Sequence, residues 1–286
     1  MIHILPNGGT LFTPSPTSKN TPTRTECIGW SRAVSRRNTD FLLSVDSDQL
    51  QGFGYALTLT IRECPESPND WQRARLKLVH RLRRMGMIRM HWLTEWQRRQ
   101  VPHLHAAVWF SSEFTPSQII SHWMAAASPF GCATDAQFVA PIAGAPGWFE
   151  YLAKHAARSI TNYQRSPANV PPQWQGKTGR MWGKLGSWPV SDIKAVEVPA
   201  SVEFQYRRLL MRYQVGKARR QGDVRREVYF RRYLSRAPKE TSARVATPRL
   251  WVTEDDQWSL LRCAFDSHAG TCSDSERAAR HQFDAA

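Results

Sequence analysis

The stretch MIRMHWLTEWQRRQVPHLHAAVWF, residues 87–110, indicates how the chain folds. Its two ends, 87–97 and 103–110, are rich in aromatic and other apolar side chains, as strands commonly are. The residues RRQVP between them are few enough to form only a short connection. The stretch therefore predicts a β-hairpin, in which two consecutive strands pair in antiparallel orientation.

Strands and helices alternate around this hairpin. Strands are predicted where apolar residues alternate with smaller ones, and helices where apolar residues recur at helical spacing after a proline in the first turn. We expect an α+β fold, with a central, largely antiparallel sheet flanked by helices. The predicted strands are 54–61 and 136–142, and the predicted helices are 67–85 (capped by Ser67 or Asn69), 115–128 (capped by Thr115) and 146–159.

Composition divides the chain into four segments. Residues 1–27 contain few large apolar side chains, so we expect them to be flexible. Residues 28–190 form the expected folded domain. Residues 191–236 form a basic extension that is helical over 201–236, and 237–286 form a polar tail that we expect to be disordered.

The charge of the chain favours a polyanionic partner. There are 39 Lys and Arg residues against 24 Asp and Glu, which gives a formal net charge of +15 and a pI of about 10.2. Nucleic acid is the expected ligand. A membrane role is not expected, because no run of about 18 apolar residues is present. The start of the chain has no secretory signal pattern, and its five cysteines form no Cys-x-x-Cys pair, so we expect a cytoplasmic protein.

One short motif suggests a nucleotide site but does not fit it. GKT at 176–178 resembles part of a phosphate-binding loop, which requires a glycine five residues before Gly176. Pro171 stands at that position and Pro172 follows it. We therefore expect no ATP binding.

His103 and His105 are separated by one leucine, so in a strand their side chains lie on the same face. They are either metal ligands or two ordinary histidines of a sheet. Glu95, on the preceding strand, supplies a third ligand if the register of the hairpin brings it to that face. Two imidazoles and one carboxylate suit Mn²⁺ better than Mg²⁺, although the oxygens of a phosphate substrate favour Mg²⁺ as well; Zn²⁺ is also chemically compatible.

The predicted helix 146–159 presents polar groups on one side. Tyr151, Lys154, His155 and Arg158 fall within about one third of its circumference. The simplest interpretation is an amphipathic helix with a half-exposed tyrosine. A phenol with a pKa of about 10 is a poor nucleophile at neutral pH unless positive charge favours the phenolate, and Lys154 or a metal would supply such charge.

Four motifs together resemble the HUH endonucleases. EWQRRQVPHLHAAVWF (95–110) is similar to their motif of two histidines around a bulky residue, with an acidic ligand eight residues upstream. ALTLT (56–60) resembles their first strand, and YLAKHAAR (151–158) resembles their Tyr-x-x-Lys helix. GRMWGKLGSWP (179–189) resembles an element of the rolling-circle replication initiators of bacterial plasmids and filamentous phages.

The resemblance implies an HUH nuclease domain with motifs within 55–188. Glu95, His103 and His105 would hold Mn²⁺ or Mg²⁺, Tyr151 would be the nucleophile, and Lys154 would assist at the phosphate or the metal. The enzyme would nick single-stranded or hairpin origin DNA, form a 5′-phosphotyrosine and leave a free 3′-hydroxyl for a host polymerase, with a host helicase unwinding the duplex. His155 occupies the second tyrosine position of dual-tyrosine relatives, so His155 and Tyr163 are only auxiliary candidates.

Further residues are expected at the DNA, and other functions stay open. Trp174 and Trp188 are candidates for stacking on unpaired bases, as is Trp182. The alternatives are a single-tyrosine HUH transposase, a plasmid mobilisation relaxase and a DNA-binding protein without catalysis; a non-haem iron oxygenase also uses two histidines and a carboxylate, but gives the positive charge and Tyr151 no purpose. The expected DNA-binding residues are Arg158, Arg180, Trp182, Lys184, Arg207, Arg208, Arg219 and Arg220.

Overall fold

The computed structural model describes residues 1–8, 10–11, 27–144, 147–148, 151, 155, 162–236 and 251–268. These residues fall into two compact units. The first, called the sheet unit, lies within Ser18–Val190, and the second, called the helical unit, is drawn from Met1–Thr17 and Ser191–Ala286. The predicted α+β class is confirmed. Among the described residues, no helix is long and apolar enough to cross a membrane.

The sheet unit is built on a five-stranded antiparallel sheet whose central strand contains both histidines of the HLH motif. Its strands are β3 (Phe53–Leu59), β4 (Met87–Trp96), β5 (Pro102–Phe110), β6 (Phe138–Ile142) and β7 (Trp182–Leu185). Their spatial order is β6-β3-β5-β4-β7, so the β4–β5 hairpin lies inside the sheet.

The hairpin turns tightly between β4 and β5. The Gln97 amide donates to the Val101 carbonyl over 2.9 Å, and the Gln100 amide donates to the Gln97 carbonyl over 2.9 Å. Gln100 takes up the bend with a φ of 59°. The turn fixes the register, in which Glu95 lies directly opposite His103.

Two predicted helices pack on one face of the sheet, and both start at the expected caps. In α2 (Pro68–Arg84) the Ser67 hydroxyl and the Asp70 carboxylate form a reciprocal capping box, and in α3 (Pro116–Ala126) Thr115 and Gln118 do the same. The indole of Trp71 on α2 donates to Thr94 Oγ1 over 2.9 Å. Trp71 and Trp123 are buried and meet edge to face, so both rings belong to the core.

The opposite face of the sheet is covered in part by a helix that the sequence patterns did not predict. This helix, α1 (Arg32–Ser44), is capped by Ser31 and buries Asn38 and Phe41. Phe41 stacks on the His91 ring of β4 with ring centroids 5.7 Å apart. Within the predicted helix 146–159, residues 147, 148, 151 and 155 are helical, and the others lie outside the described residues.

The helical unit has its own small sheet and core. Strands β1 (Ile2–Ile4), β2 (Thr10–Leu11) and β8 (Lys194–Val196) form an antiparallel sheet in the order β2-β1-β8. Helices α4 (Ala200–Arg220) and α5 (Val224–Arg236) occupy the region predicted as helical, with a break at Gly222, whose φ is 67°. Helix α6 (Glu254–His268) completes this unit.

Two expectations for the chain ends need correction. Residues 2–4 form a strand instead of a flexible segment, because Ile2 and Ile4 are fully buried and pair with β8, almost two hundred positions along the chain. The polar tail contains α6, which buries Leu261 and Phe265 in the same core. The remaining parts of both predicted segments lie largely outside the described residues.

Candidate active site

The hairpin register brings the predicted ligands to one face of the sheet. Glu95 is paired with His103, and His105 is paired with Leu93 on β4 and with Thr58 on β3. Because side chains alternate along a strand, Glu95, His103 and His105 point to the same side. All three are buried. The shared face that was inferred from the sequence is therefore present.

The donor atoms of this group lie close together. His105 Nε2 is 3.4 Å from Glu95 Oε2 and 3.1 Å from His103 Nε2. The buried His155 ring lies beside the His105 ring, with centroids 4.5 Å apart. One donor atom from each of Glu95, His105 and His155 lies within 4.8 Å of the others. The structure thus places His155 among the potential ligands, whereas the sequence predicted only an auxiliary role for it.

This donor set fits a divalent cation. Carboxylate oxygen and imidazole nitrogen are ligands of Mn²⁺ and Zn²⁺, and the four side chains converge in a buried space. Thr58 Oγ1 lies 3.0 Å from His105 Nδ1. A hydroxyl either donates or accepts, so Thr58 can hold His105 in the tautomer that turns the Nε2 lone pair towards a cation.

Arg165 is an unexpected member of the site. Its Nε donates to Glu95 Oε1 over 2.9 Å, both side chains are fully buried, and the guanidinium lies 4.0 Å from the Trp30 ring. It also donates to the main-chain carbonyl of His155. The ion pair occupies one oxygen of Glu95 and leaves the other facing His105. An arginine in a short 3-10 turn, Tyr163–Arg165, carries no sequence signal for this position.

Tyr151 lies beside this cluster with its hydroxyl buried. It is 4% exposed, stacks on Trp148 at 5.6 Å and lies 4.6 Å from the His155 ring, centroid to centroid. Burial raises the pKa of the phenol well above its usual value; the Glu95 carboxylate also raises it, and Arg165 lowers it in part. The phenol therefore keeps its proton at neutral pH.

The Tyr151 hydroxyl is 2.9 Å from Nδ1 of His91, a residue that no sequence motif singled out. His91 Nε2 is 2.8 Å from Asn38 Oδ1 on α1. Burial and, to a smaller extent, the charge of Arg165 lower the pKa of His91 to about 3, so its ring is neutral at pH 7. One signal was available, because His91 precedes Glu95 by four positions and so lies on the same face of β4.

The other predicted residues are distributed as follows. Lys154 and Arg158 lie outside the described residues. Beyond the helical segment the chain folds back, since Gln164 Nε2 is 3.2 Å from His103 Nε2. Tyr163 itself is 47% exposed, and its ring lies 5.2 Å from the Arg98 guanidinium.

A basic groove of about 420 Å³ lies in the sheet unit between α1 and β7. Three residues that the sequence predicts to bind DNA, Arg180, Trp182 and Lys184, line it together with Arg37 from α1. Among the described residues that line the groove, none is acidic. Trp182 is partly exposed and packs beside the His91 ring at 6.0 Å, which links the groove to the site.

The stacking role expected for two tryptophans is wrong. Trp174 is 1% exposed and its indole donates to the Pro65 carbonyl over 3.0 Å, so it is a core residue. Trp188 is 8% exposed and donates to the Leu185 carbonyl. Apolar packing accounts for both rings, which are enclosed by other aromatic side chains.

The four expected DNA-binding arginines of the helical unit all lie on α4. Arg207 pairs with Glu203 and Arg219 pairs with Glu227, each over 3.0 Å. Arg208 lies 5.7 Å from the Phe204 ring, and Arg220 is exposed near the end of the helix. Two of the four charges are therefore partly compensated within the unit.

The buried group of one carboxylate, three imidazoles and a phenol is a candidate metal-dependent catalytic site. Comparison with known proteins identifies the family to which this protein belongs. A family model for replication-associated proteins of the ORF2 type matches residues 54–160, which include Glu95, both histidines of β5 and Tyr151.

Individual relatives extend the similarity over most of the chain. The replication-associated protein of Pseudomonas phage Pf3 is 44% identical over 236 residues, which are 82% of this chain and 84% of the phage protein. A protein of Xylella fastidiosa strain 9a5c, provisionally named a replication protein, is 48% identical over 219 residues, 74% of this chain and 77% of its own length. This chain belongs to the family of replication-associated proteins. No solved structure gives a significant match to it.

Proposed function

We propose that this protein is an HUH endonuclease that initiates rolling-circle replication by nicking single-stranded origin DNA. Residues 28–190 would form the endonuclease domain. One observation carries the proposal. A tyrosine hydroxyl is held in a buried site beside a carboxylate and two imidazoles whose donor atoms lie within 4.8 Å of one another, and a third imidazole lies 3.1 Å from one of them. The names of the phage and Xylella relatives support a role in replication.

The proposed reaction is a transesterification at one phosphodiester. Tyr151 Oη attacks the scissile phosphorus, so that the Tyr O–P bond forms as the bond from phosphorus to the 3′-oxygen breaks. The phenol loses its proton and the departing 3′-oxygen takes one up. The products are a 5′-phosphotyrosine and a 3′-hydroxyl that a host polymerase extends. No ATP is consumed, because one phosphodiester replaces another, and unwinding is left to a host helicase.

The residues of the cluster have separate proposed roles. Glu95, His103 and His105 would hold Mn²⁺ or Mg²⁺, and His155 would complete the set. When bound, the cation offsets the negative charge that develops on the phosphate oxygens. Arg165 fixes the Glu95 carboxylate, and Lys154 is expected to assist at the phosphate. Because Tyr151 is 4% exposed, the phosphate reaches its hydroxyl only after a local rearrangement.

The basic groove is the proposed path of the strand towards Tyr151. Arg37, Arg180 and Lys184 contact phosphates, and Trp182 offers a partly exposed ring on which an unpaired base can stack. In the helical unit, Arg208 and Arg220 supply further phosphate contacts. Arg207 and Arg219 contribute less, because Glu203 and Glu227 compensate their charges.

Removing one groove cation should weaken DNA binding in a salt-dependent way. For Arg37→Ala, Arg180→Ala and Lys184→Ala we expect the slope of log K against log salt to fall by about 0.7 each, as for the loss of one single-strand phosphate contact. Binding titrations with a labelled oligonucleotide at several salt concentrations measure this. Arg73→Ala on α2 removes the same charge from an ion pair with Asp70 and should leave the slope unchanged. Equal slopes for the groove variants and the native protein would exclude the groove as the path.

The function itself is tested by labelling the two ends of the DNA separately. With Mn²⁺ and single-stranded origin DNA of the same replicon, a 3′-end label should migrate with the protein in denaturing gels. A 5′-end label should appear on a shorter fragment that a polymerase extends. Binding without either product would favour a DNA-binding protein without catalysis. A single-tyrosine transposase or a mobilisation relaxase performs the same chemistry, so the origin of the cleaved DNA decides between these and an initiator.

A further inference from the structure

Three fully or almost fully buried polar residues form a chain that ends at the reacting oxygen. Asn38 Oδ1 lies 2.8 Å from His91 Nε2, and His91 Nδ1 lies 2.9 Å from the Tyr151 hydroxyl. Asn38 and His91 are 0% exposed, and Tyr151 is 4% exposed. Such a connected polar chain inside a core is stable only if each member is hydrogen bonded.

The hydrogen bonds between Asn38, His91 and Tyr151 determine which nitrogen of His91 carries the hydrogen. The amide oxygen of Asn38 can only accept, so Nε2 of His91 carries the hydrogen. A neutral imidazole then has its lone pair on Nδ1. That lone pair faces the Tyr151 hydroxyl, which donates to it.

The His91 ring is also fixed mechanically. Phe41, one turn after Asn38 on α1, stacks on the ring at 5.7 Å, and Trp182 of β7 lies 6.0 Å from it. Packing therefore keeps Nδ1 directed at Tyr151. This orientation of His91 does not depend on a contact with the proposed metal ligands.

We propose that His91 is the general base for Tyr151 and that Asn38 is the positioning residue that sets the tautomer of His91. This rests on the proposed nicking function. The phenol proton moves to His91 Nδ1 only as the bond from Tyr151 Oη to phosphorus forms. Bond formation makes this proton strongly acidic, and the negative phosphate beside the ring raises the pKa of His91 from its low value in the free protein. The bond from phosphorus to the 3′-oxygen breaks, and that oxygen takes a proton from water. On resealing, the His91 imidazolium returns the proton to Tyr151.

The test compares adduct formation and DNA affinity in variants of the full-length chain. For His91→Gln we expect the single-turnover rate at saturating DNA and Mn²⁺ to fall by about 10²–10⁴-fold, the usual contribution of a general base. DNA affinity should stay within about twofold, because the groove supplies the phosphate contacts. An unchanged rate in a folded His91→Gln protein would overturn the proposal.

A pair of Asn38 variants separates the tautomer from packing. Asn38→Asp keeps only acceptor oxygens and should retain most of the rate, whereas Asn38→Leu has a similar volume and should lose as much as His91→Gln. If both variants lose the rate although their melting temperatures match the native protein, Asn38 donates to His91 and the proposal fails. Should Asn38→Asp not fold, the rate and affinity of His91→Gln decide alone.

A modified substrate shows on which oxygen His91 acts. DNA with sulfur in place of the bridging 3′-oxygen has a leaving group that needs no proton. His91→Gln should slow cleavage of both substrates by the same factor. A smaller loss with the sulfur substrate would assign His91 to the leaving group and overturn the assignment. If the native protein forms no adduct at all, the proposed nicking function itself fails, and not only the roles proposed for His91 and Asn38.

Discussion

Replacing Tyr151 with phenylalanine should abolish the covalent complex between protein and DNA. The change removes one oxygen and keeps the ring, so the stacking on Trp148 and the contact with His155 are retained. Loss of an enzyme's nucleophile lowers kcat by up to on the order of 10⁶, so nicking should fall below detection. Gel analysis of end-labelled DNA after denaturation measures both the adduct and the nick.

The matched control is Tyr163→Phe, which removes the same atom from a tyrosine that is half exposed beside Arg98. It should form the adduct at the native rate. DNA affinity should be unchanged in both variants, because neither hydroxyl lies in the basic groove. An adduct that persists in Tyr151→Phe and disappears in Tyr163→Phe would exchange the roles of the two residues.

The hairpin and the shared face of Glu95, His103 and His105 were predictable because they depend on short-range patterns. The period of two in His103-Leu104-His105 places both rings on one face whatever the rest of the fold does. Glu95 joins them because the connection is short, and a short connection admits few registers. The capped helices α2 and α3 were likewise predicted from residues next to their own first turns.

The surroundings of Tyr151 depend on contacts between distant segments. Asn38 and Arg165 reach the site from α1 and from a 3-10 turn, 53 and 70 positions away from their partners His91 and Glu95. In α1 the apolar residues are concentrated at Phe41 to Leu43, so the sequence has no clear helical stripe. Residue types alone did not indicate that His91 would face Tyr151 and not solvent.

The family resemblance and the geometry of the site favour different sets of candidate metal ligands. The resemblance implies Glu95, His103 and His105, whereas the tightest described group is Glu95, His105 and His155. Both sets contain His105, whose Nε2 lies between the other donors. Glu95 is less suitable for a test, because removing it breaks the buried ion pair with Arg165, which costs about 3–5 kcal/mol.

Replacing His105 with alanine should therefore cause the largest loss of metal-dependent nicking. We expect a decrease of about 10²–10³-fold, comparable to the loss of one preorganised group that stabilises a transition state, with DNA affinity nearly unchanged. His103→Ala and His155→Ala should each need more Mn²⁺ for half-maximal nicking, and chelation with EDTA should stop the native reaction. Titration of nicking against Mn²⁺, with Mn²⁺ binding followed by electron paramagnetic resonance, separates weaker binding from slower chemistry. An unchanged Mn²⁺ requirement in His155→Ala would confine the ligands to Glu95, His103 and His105. If His105→Ala bound Mn²⁺ as the native protein does, a metal at this cluster would be excluded.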